Sequence, residues 1–107
     1  MLEPKRGEVW MVDLGLSAKV RPCRILNIPI QENDNSLITI ITIITHTTSP
    51  RSSRFEVEVI TNFLRPGVFD TQSIVTVPQS KLIRKLGKLL EKDIVHIENG
   101  VRLWLAL

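Results

Sequence analysis

The sequence is poor in the features that build disulfide-bonded, zinc-binding and membrane proteins. It has one cysteine, Cys23, in 107 residues, so no internal disulfide can form, and no CxxC or close Cys/His pair exists to hold zinc. The best membrane candidate, SLITIITIIT at 36–45, is about half the length of a spanning helix. The start of the chain, MLEPKRGEVW, is charged and lacks a secretory apolar segment. These absences predict a cytosolic protein with no membrane partner.

Familiar catalytic motifs are also missing. The chain contains no HExxH, no GxSxG and no glycine-rich phosphate loop after a strand. No pair of carboxylates is expected to share a site. Hydrolysis by a metal ion or a serine triad is therefore unsupported, and we expect no cofactor and no metal. The chain also lacks linkers and internal repeats, so residues 1–107 are interpreted as one domain.

The distribution of charge is more informative than its sum. The formal net charge is only +3, from 14 basic and 11 acidic residues. Three stretches contain bases and no acids, namely 14–31, 35–55 and 71–90. A surface built from these stretches would carry a positive field suited to phosphates. A modest basic excess can equally be an ordinary solvated surface, and charge alone does not decide between the two.

Hydrophobic periodicity predicts strands first and a helix last. Short polar turns between strands, without crossover helices, favour an antiparallel, strongly curved sheet or small barrel. From Glu91 the apolar spacing becomes helical, and Gly100 should weaken that helix by about 1 kcal/mol relative to alanine. The segment 82–89 is ambiguous, and Gly87 favours a strand. The predicted strands are Glu8–Leu14, Arg21–Pro29, Ser36–Thr45, Phe55–Ile60, Ser73–Val77 and 82–89, with a turn at 31–35 and a turn-bearing connection at 61–72.

Two segments could carry chemistry: the Arg21-Pro22 pair at a strand start and the hydroxyl-rich turn from His46 to Arg54. Arginine presents a planar fork of donors that matches phosphate oxygens, and hydroxyls add neutral donors. Such a site could bind RNA or stabilise a pentacoordinate phosphate during attack by the 2′-OH of RNA itself. The threonines can also be ordinary strand-end residues. His46 lies where a strand meets a loop, whereas His96 reads as an ordinary residue of the terminal helix.

The segments RGEVWMVDL, VRP, TTSPRSSRFEVEV, QSIVTVPQSKLIRKLGKL and a terminal WLAL, in this order, resemble the MazF/PemK (Kid) toxin family. The resemblance implies a small SH3-like antiparallel barrel with a C-terminal helix, a fold shared with the gyrase poison CcdB. It further implies a homodimeric, metal-independent endoribonuclease that cleaves single-stranded mRNA at specific sequences and so inhibits growth. A cognate antitoxin would hold it inactive.

The resemblance also assigns residues. The catalytic arginine of the family falls on Arg21, and the catalytic threonine falls on Thr47, or on Thr45 if the loop aligns differently. The family's first loop carries a glutamate that has been proposed to assist proton transfer, but GLSAKVRP has no acid, so His46 becomes a candidate base. The predicted RNA contacts are Thr45, Thr48, Ser49, Arg51, Arg54, Ser73, Gln79 and Lys81, the last within a basic stretch that extends to Lys88.

Two other functions stay open at this point. SH3-like barrels also serve as non-catalytic nucleic-acid-binding modules, and a barrel of this kind can poison a protein target such as gyrase, as CcdB does. The Arg-Pro and Thr-Thr features favour the ribonuclease. Cleavage of RNA without divalent metal would distinguish the ribonuclease from the non-catalytic binding module.

Overall fold

The computed structural model describes residues 4–15, 19–28, 34 and 40–107. Its regular elements follow one another as six strands and a C-terminal helix, with a short 3-10 turn at Gln79–Lys81 before the last strand. The elements are β1 (Glu8–Asp13), β2 (Val20–Ile25), β3 (Ile40–Thr47), β4 (Glu56–Glu58), β5 (Val68–Pro78), β6 (Leu82–Lys88) and α1 (Glu91–Leu105).

All six strands form one antiparallel sheet in the order β4-β5-β3-β2-β1-β6. The predicted combination of antiparallel sheet and C-terminal helix is confirmed. The sheet differs from a closed barrel, because within the described ranges its edge strands β4 and β6 pair only with β5 and β1. Strand β4 is three residues long, which leaves little backbone with which to close the sheet.

Two apolar clusters lie on the two sides of the sheet, because successive residues of a strand point in opposite directions. On one side, Val9 and Ile44 pack with residues of α1 such as Ile97. We call this side the helix face. On the other side, which we call the far face, Trp10 and Ile43 pack with residues of β2 and β5. Both sides of β1 and β3 are therefore buried, which explains the nearly continuous apolar sequence of β3.

Two of the predicted strand boundaries are wrong in ways that matter for the site. Strand β3 continues to Thr47, two residues beyond the predicted end. Residues 68–72 were expected in a connection but belong to β5, because the turn at Pro66-Gly67 is complete before Val68, which then pairs with β3 and β4. Strand β4 is shorter than predicted. Of the predicted turn at 31–35, only Asp34 lies among the described residues, and residues 36–39 of the predicted third strand lie outside them.

Helix α1 covers its side of the sheet through Ile94, Ile97 and Val101, as the periodicity predicts. Trp104 and Leu105, which continue the apolar spacing of these three residues, are about half exposed. Trp104 meets the ring of Phe55 edge-on, with centroids 5.3 Å apart. The glycine within the helix, at position 100, faces Thr71 of β5, where an added Cβ would lie 2.7 Å from Cγ2 of that threonine. Close packing on the sheet therefore explains a glycine that helix propensity alone disfavours.

Candidate functional site

A pocket of about 200 Å³ opens where β2, β3, β4 and β5 meet. It collects residues from three of the segments that the sequence singled out: the Arg-Pro strand, the threonine-rich turn and the region around Ser73. Its lining is polar throughout. The lining residues are Arg21, Thr45, Thr47, Ser49, Arg51, Glu56, Asp70 and Ser73.

The hydroxyl groups reach the pocket through the geometry of two strands. In β3, Thr45 and Thr47 share the far face with Ile43, since alternate residues point the same way. Strand β5 is irregular opposite this point: Ile44 pairs with Ile74, but His46 already pairs with Phe69. Ser73 keeps the alternation of Val75 and Val77 and therefore lies opposite Thr45 on the far face, and the irregularity of β5 comes between Phe69 and Ser73.

Two hydrogen bonds hold hydroxyl groups of the pocket in place. The Ser73 hydroxyl donates to Oγ1 of Thr45 at 3.3 Å, and the backbone N–H of Ser49 donates to Oγ1 of Thr47 at 3.1 Å. Thr45 is buried, Thr47 is half-buried and Ser49 is exposed, so the hydroxyls form a gradient from the floor of the pocket to its rim. Each hydroxyl keeps unused donor or acceptor capacity.

Arg21 supplies the unpaired positive charge of the pocket. It lies near the start of β2, opposite Val12 of β1, and is exposed. Within the part of the chain that the structure describes, its guanidinium has no ion-pair partner. Cys23 lies two residues further along β2 and outside the lining, and burial raises the pKa of its thiol to about 12, which keeps it protonated.

Two carboxylates also line the pocket, which corrects the expectation that no pair of carboxylates shares a site. Glu56 and Asp70 are direct partners across the β4–β5 ladder. The alternation in FEVEV signalled that Glu56 faces solvent, but Asp70 lay in a segment interpreted as a connection, so its position opposite Glu56 was hidden. Only the pairing of β4 with β5 reveals it.

The two acids have different partners. The carboxylate of Glu56 accepts the backbone N–H of Arg51 through both oxygens at 3.0 Å and that of Ser53 at 2.9 Å. These bonds lower the pKa of Glu56. Asp70 accepts a charged hydrogen bond from Nη2 of Arg51 at 2.8 Å and the backbone N–H of Gln72 at 3.0 Å.

The structure does not bring every predicted site residue into the pocket. His46 points to the helix face, where it is 2% exposed and meets Phe69 edge-on at 5.0 Å, because the period of a strand turns it away from its two threonine neighbours. Burial lowers its pKa, and its Nε2 has no hydrogen-bond partner within the described residues. Four further candidates lie outside the lining: Thr48, Arg54, Gln79 and Lys81.

These four occupy exposed or half-buried positions around the pocket's strands. Thr48 follows the end of β3 and is exposed, and the Arg54 guanidinium lies over the ring of Phe55 at 4.6 Å from its centroid. Gln79 and Lys81 form the ends of the 3-10 turn before β6. In the described ranges, no three His, Cys, Asp or Glu side chains are grouped to hold a metal ion, and no helix there is long and apolar enough to span a membrane.

The fold is that of the MazF toxins. A mycobacterial endoribonuclease solved with its cognate antitoxin superposes with a TM-score of 0.81 at 22% identity, covering 98% of this chain and 97% of that one. The Mycobacterium tuberculosis toxin MazF-mt6 gives 0.76 at 24% identity, covering 94% and 97%. MazF in a MazE-MazF crystal from Deinococcus radiodurans gives 0.79 at 13% identity, covering 100% and 99%.

Sequence places the chain within a family. Residues 5–105 match the PemK-like, MazF-like toxins of type II toxin-antitoxin systems, and the chain belongs to this family. No curated protein matches it significantly in sequence. The resemblance drawn from its motifs is thus confirmed at the level of family and fold.

Proposed function

We propose that this protein is an endoribonuclease toxin that cleaves single-stranded mRNA, with Arg21 and Thr47 as its catalytic residues. The observation that carries the proposal is the guanidinium of Arg21, which has no ion-pair partner among the described residues, in one pocket with four hydroxyl groups. A cation beside neutral donors suits a phosphodiester, which is a single negative charge with several acceptor oxygens. Membership of the PemK-like, MazF-like toxins supports the same substrate.

The chemistry that we propose uses the RNA's own nucleophile. The 2′-OH attacks the adjacent phosphorus, and the products are a 2′,3′-cyclic phosphate and a 5′-OH. Arg21 neutralises the charge that grows on the non-bridging oxygens, which is electrostatic stabilisation of a transition state. Thr47, with Thr45 beside it in the lining, positions the phosphate so that the attacking and leaving oxygens lie in line. The reaction is proposed to need no metal ion, because the guanidinium supplies the positive charge.

Basic residues around the pocket would hold the flanking phosphates. Arg51 lies in the lining, Arg54 is exposed in the turn before β4, and Lys81 is exposed beyond the end of β5 that is distant from the pocket. Each phosphate contact of this kind releases a counterion, so binding should weaken steeply as salt increases. Thr48 and Gln79 lie beyond the lining and are proposed only as contacts to nucleotides outside the cleaved step.

The test is cleavage of a long single-stranded RNA by the purified protein in EDTA, with the ends of the products mapped. We expect 5′-OH and 2′,3′-cyclic phosphate ends at a short recurring sequence. Replacement of Arg21 by alanine should lower kcat by roughly 10²–10³-fold, the usual effect of losing one transition-state donor, and leave the unfolding temperature unchanged. An RNA with a single 2′-deoxy nucleotide at the cut site should bind and stay intact.

Arg65→Ala is the matched control, because Arg65 is an exposed arginine in the β4–β5 connection and does not line the pocket. It should cleave like the unchanged protein. Binding of RNA without cleavage would instead identify a nucleic-acid-binding module. Inhibition of gyrase without any effect on RNA would identify a CcdB-like poison.

We also propose the partners that this activity requires. A cognate antitoxin is supported by the family, which is defined by type II toxin-antitoxin systems, and by the similar mycobacterial and Deinococcus structures that contain one. A homodimer acting in the cytoplasm is proposed from the family resemblance. Light scattering of the purified chain, alone and mixed with the product of the adjacent gene, measures both associations.

A further inference from the structure

The reaction proposed above requires a group that accepts the proton of the attacking 2′-OH. The guanidinium of Arg21 cannot do so, since arginine stays protonated in proteins. The first loop of this chain, GLSAKVRP, contains no acid. His46 is buried on the helix face and does not line the pocket. The two carboxylates of the lining, Glu56 and Asp70, are therefore the groups to compare.

The carboxylate of Glu56 is hydrogen-bonded to backbone N–H groups. Its two oxygens accept three N–H hydrogen bonds from Arg51 and Ser53, which fold the 51–56 segment around the carboxylate. A carboxylate that accepts several such bonds is stabilised in its charged form and is a weaker base. Its position is explained by the turn that it holds, so it need not take part in the reaction.

The carboxylate of Asp70 can accept further hydrogen bonds. Each of its oxygens accepts one hydrogen bond, Oδ2 from Nη2 of Arg51 and Oδ1 from the N–H of Gln72, whereas an ionised carboxylate offers about four acceptor sites. Its side chain is 14% exposed and is held in β5 opposite Glu56. The carboxylate is thus both fixed in the pocket and able to accept a further proton donor.

The partner of Asp70 is easily exchanged. The side chain of Arg51 is 67% exposed, and ion pairs with so exposed a partner contribute little to stability. A phosphate of the RNA presents the same kind of acceptor to a guanidinium. Binding of RNA can therefore draw Arg51 onto a phosphate at little cost and leave Oδ2 of Asp70 open towards the pocket.

We propose that Asp70 is the general base of the cleavage reaction, an assignment that rests on the proposed ribonuclease function. The 2′-OH proton passes to Asp70 as the O2′–P bond forms and the P–O5′ bond breaks. The 5′ oxygen leaves with the bonding electron pair and takes a proton from water. The hydroxide that remains removes the proton from Asp70 and restores the carboxylate.

The test compares Asp70→Asn with Arg51→Ala in the full-length protein, with kcat and KM measured across pH on a single-site RNA. The asparagine is isosteric but cannot accept the proton, so kcat should fall by roughly 10²–10⁴-fold, the usual contribution of acid-base catalysis, with a small change in KM. The decline of kcat in acid should disappear with it. Arg51→Ala should raise KM and keep both most of kcat and the decline in acid.

Three results would overturn the assignment: a kcat for Asp70→Asn close to that of the unchanged protein, an acid-side decline that survives in that variant, or a loss of kcat of roughly 10²-fold or more in Arg51→Ala. The last would show that Asp70 acts only by positioning Arg51, and this measurement does not require the asparagine variant to fold. Failure of the proposed function is distinct, because the unchanged protein would then not cleave RNA at all.

Discussion

Two arginines three residues apart on β2 have opposite surroundings. Arg21 points into the pocket, is exposed and has no ion-pair partner among the described residues. Arg24 points to the helix face, is 0% exposed and donates from Nη2 to Oε2 of Glu98 on α1 at 2.9 Å. Arg6 binds the same carboxylate oxygen. The difference shows that one strand contributes a free charge to chemistry on one side and a neutralised charge to structure on the other.

The buried side of this comparison carries the larger stability effect. Burial lowers the pKa of Arg24, and the Glu98 carboxylate opposes that shift. Burial likewise opposes ionisation of Glu98, but its bonds to Arg24 and Arg6 leave its pKa lowered overall. The helix is thus tied to β2 through a charge pair whose members depend on each other.

Glu98→Ala should destabilise the fold by about 3–5 kcal/mol, because it leaves the Arg24 charge buried without its partner. Two donors of that guanidinium, Nε and Nη1, already have no partner in the described ranges. Arg24→Met should cost less, since an apolar side chain of similar length removes the buried charge altogether. Urea unfolding of both variants measures the difference.

The control is Asn99→Ala, at an exposed neighbour whose side chain bonds only Arg102 in the described structure. It should change the free energy of unfolding by less than about 0.5 kcal/mol. If Glu98→Ala changed the free energy of unfolding as little as this control, the Arg24–Glu98 pair would not stabilise the packing of the helix on the sheet. The structural role assigned to Arg24 would then be wrong.

A second contrast uses two glycines, one in the turn beside the end of β3 and one in α1. An added Cβ at Gly67 would lie 2.2 Å from the backbone oxygen of Thr47, and one at Gly100 would lie 2.7 Å from a side-chain carbon of Thr71. Either alanine should destabilise the protein by about 1–3 kcal/mol through overpacking. Gly67→Ala should also lower RNA cleavage, because the strand end that carries Thr47 must shift, whereas Gly100→Ala should keep its cleavage rate.

Unfolding temperatures and cleavage rates of the two alanine variants check this prediction. Helix propensity alone would make Gly100→Ala stabilising by about 1 kcal/mol. A stabilised variant would show that the Thr71 side chain can move away from the added Cβ, although it is 0% exposed and its hydroxyl donates to the carbonyl of Phe55 at 2.6 Å. Equal losses of cleavage in both variants would show that the packing of α1 on the sheet also affects the pocket.

The face of the sheet on which each β3 residue lies can be predicted from the sequence, provided that the strand is extended to its observed end at Thr47. Ile43, Thr45 and Thr47 alternate with Ile44 and His46, so the period of a strand already separates the threonines from the histidine. Ending the strand at Thr45 placed His46 in a loop, where it resembled a candidate base. An error of two residues at a strand end was enough to misplace it.

Other parts of the site depend on pairings that no local pattern records. Asp70 faces Glu56 only because β4 pairs with β5, and Ser73 lies opposite Thr45 only because the register that pairs Ile44 with Ile74 continues to it. The acid-free stretches therefore gave an incomplete view of charge, since both acids of the pocket lie in segments between them. Long-range register, rather than composition, decides the electrostatics of this site.

The smallest expected effect concerns His46, which lies between Thr45 and Thr47 in sequence and on the other side of the sheet. Because burial lowers its pKa from the ordinary 6.5, the unfolded chain takes up a proton near pH 6.5 while the folded protein resists it. Below that pH the unfolded state binds more protons, so stability is lost as pH falls, by at most about 1.4 kcal/mol per pH unit. His46→Met should flatten the pH dependence of the unfolding free energy between about pH 7.5 and 5.5. His96→Met, at an exposed position on α1, should keep the dependence of the unchanged protein, so equal slopes in the two variants would contradict the buried, neutral role of His46.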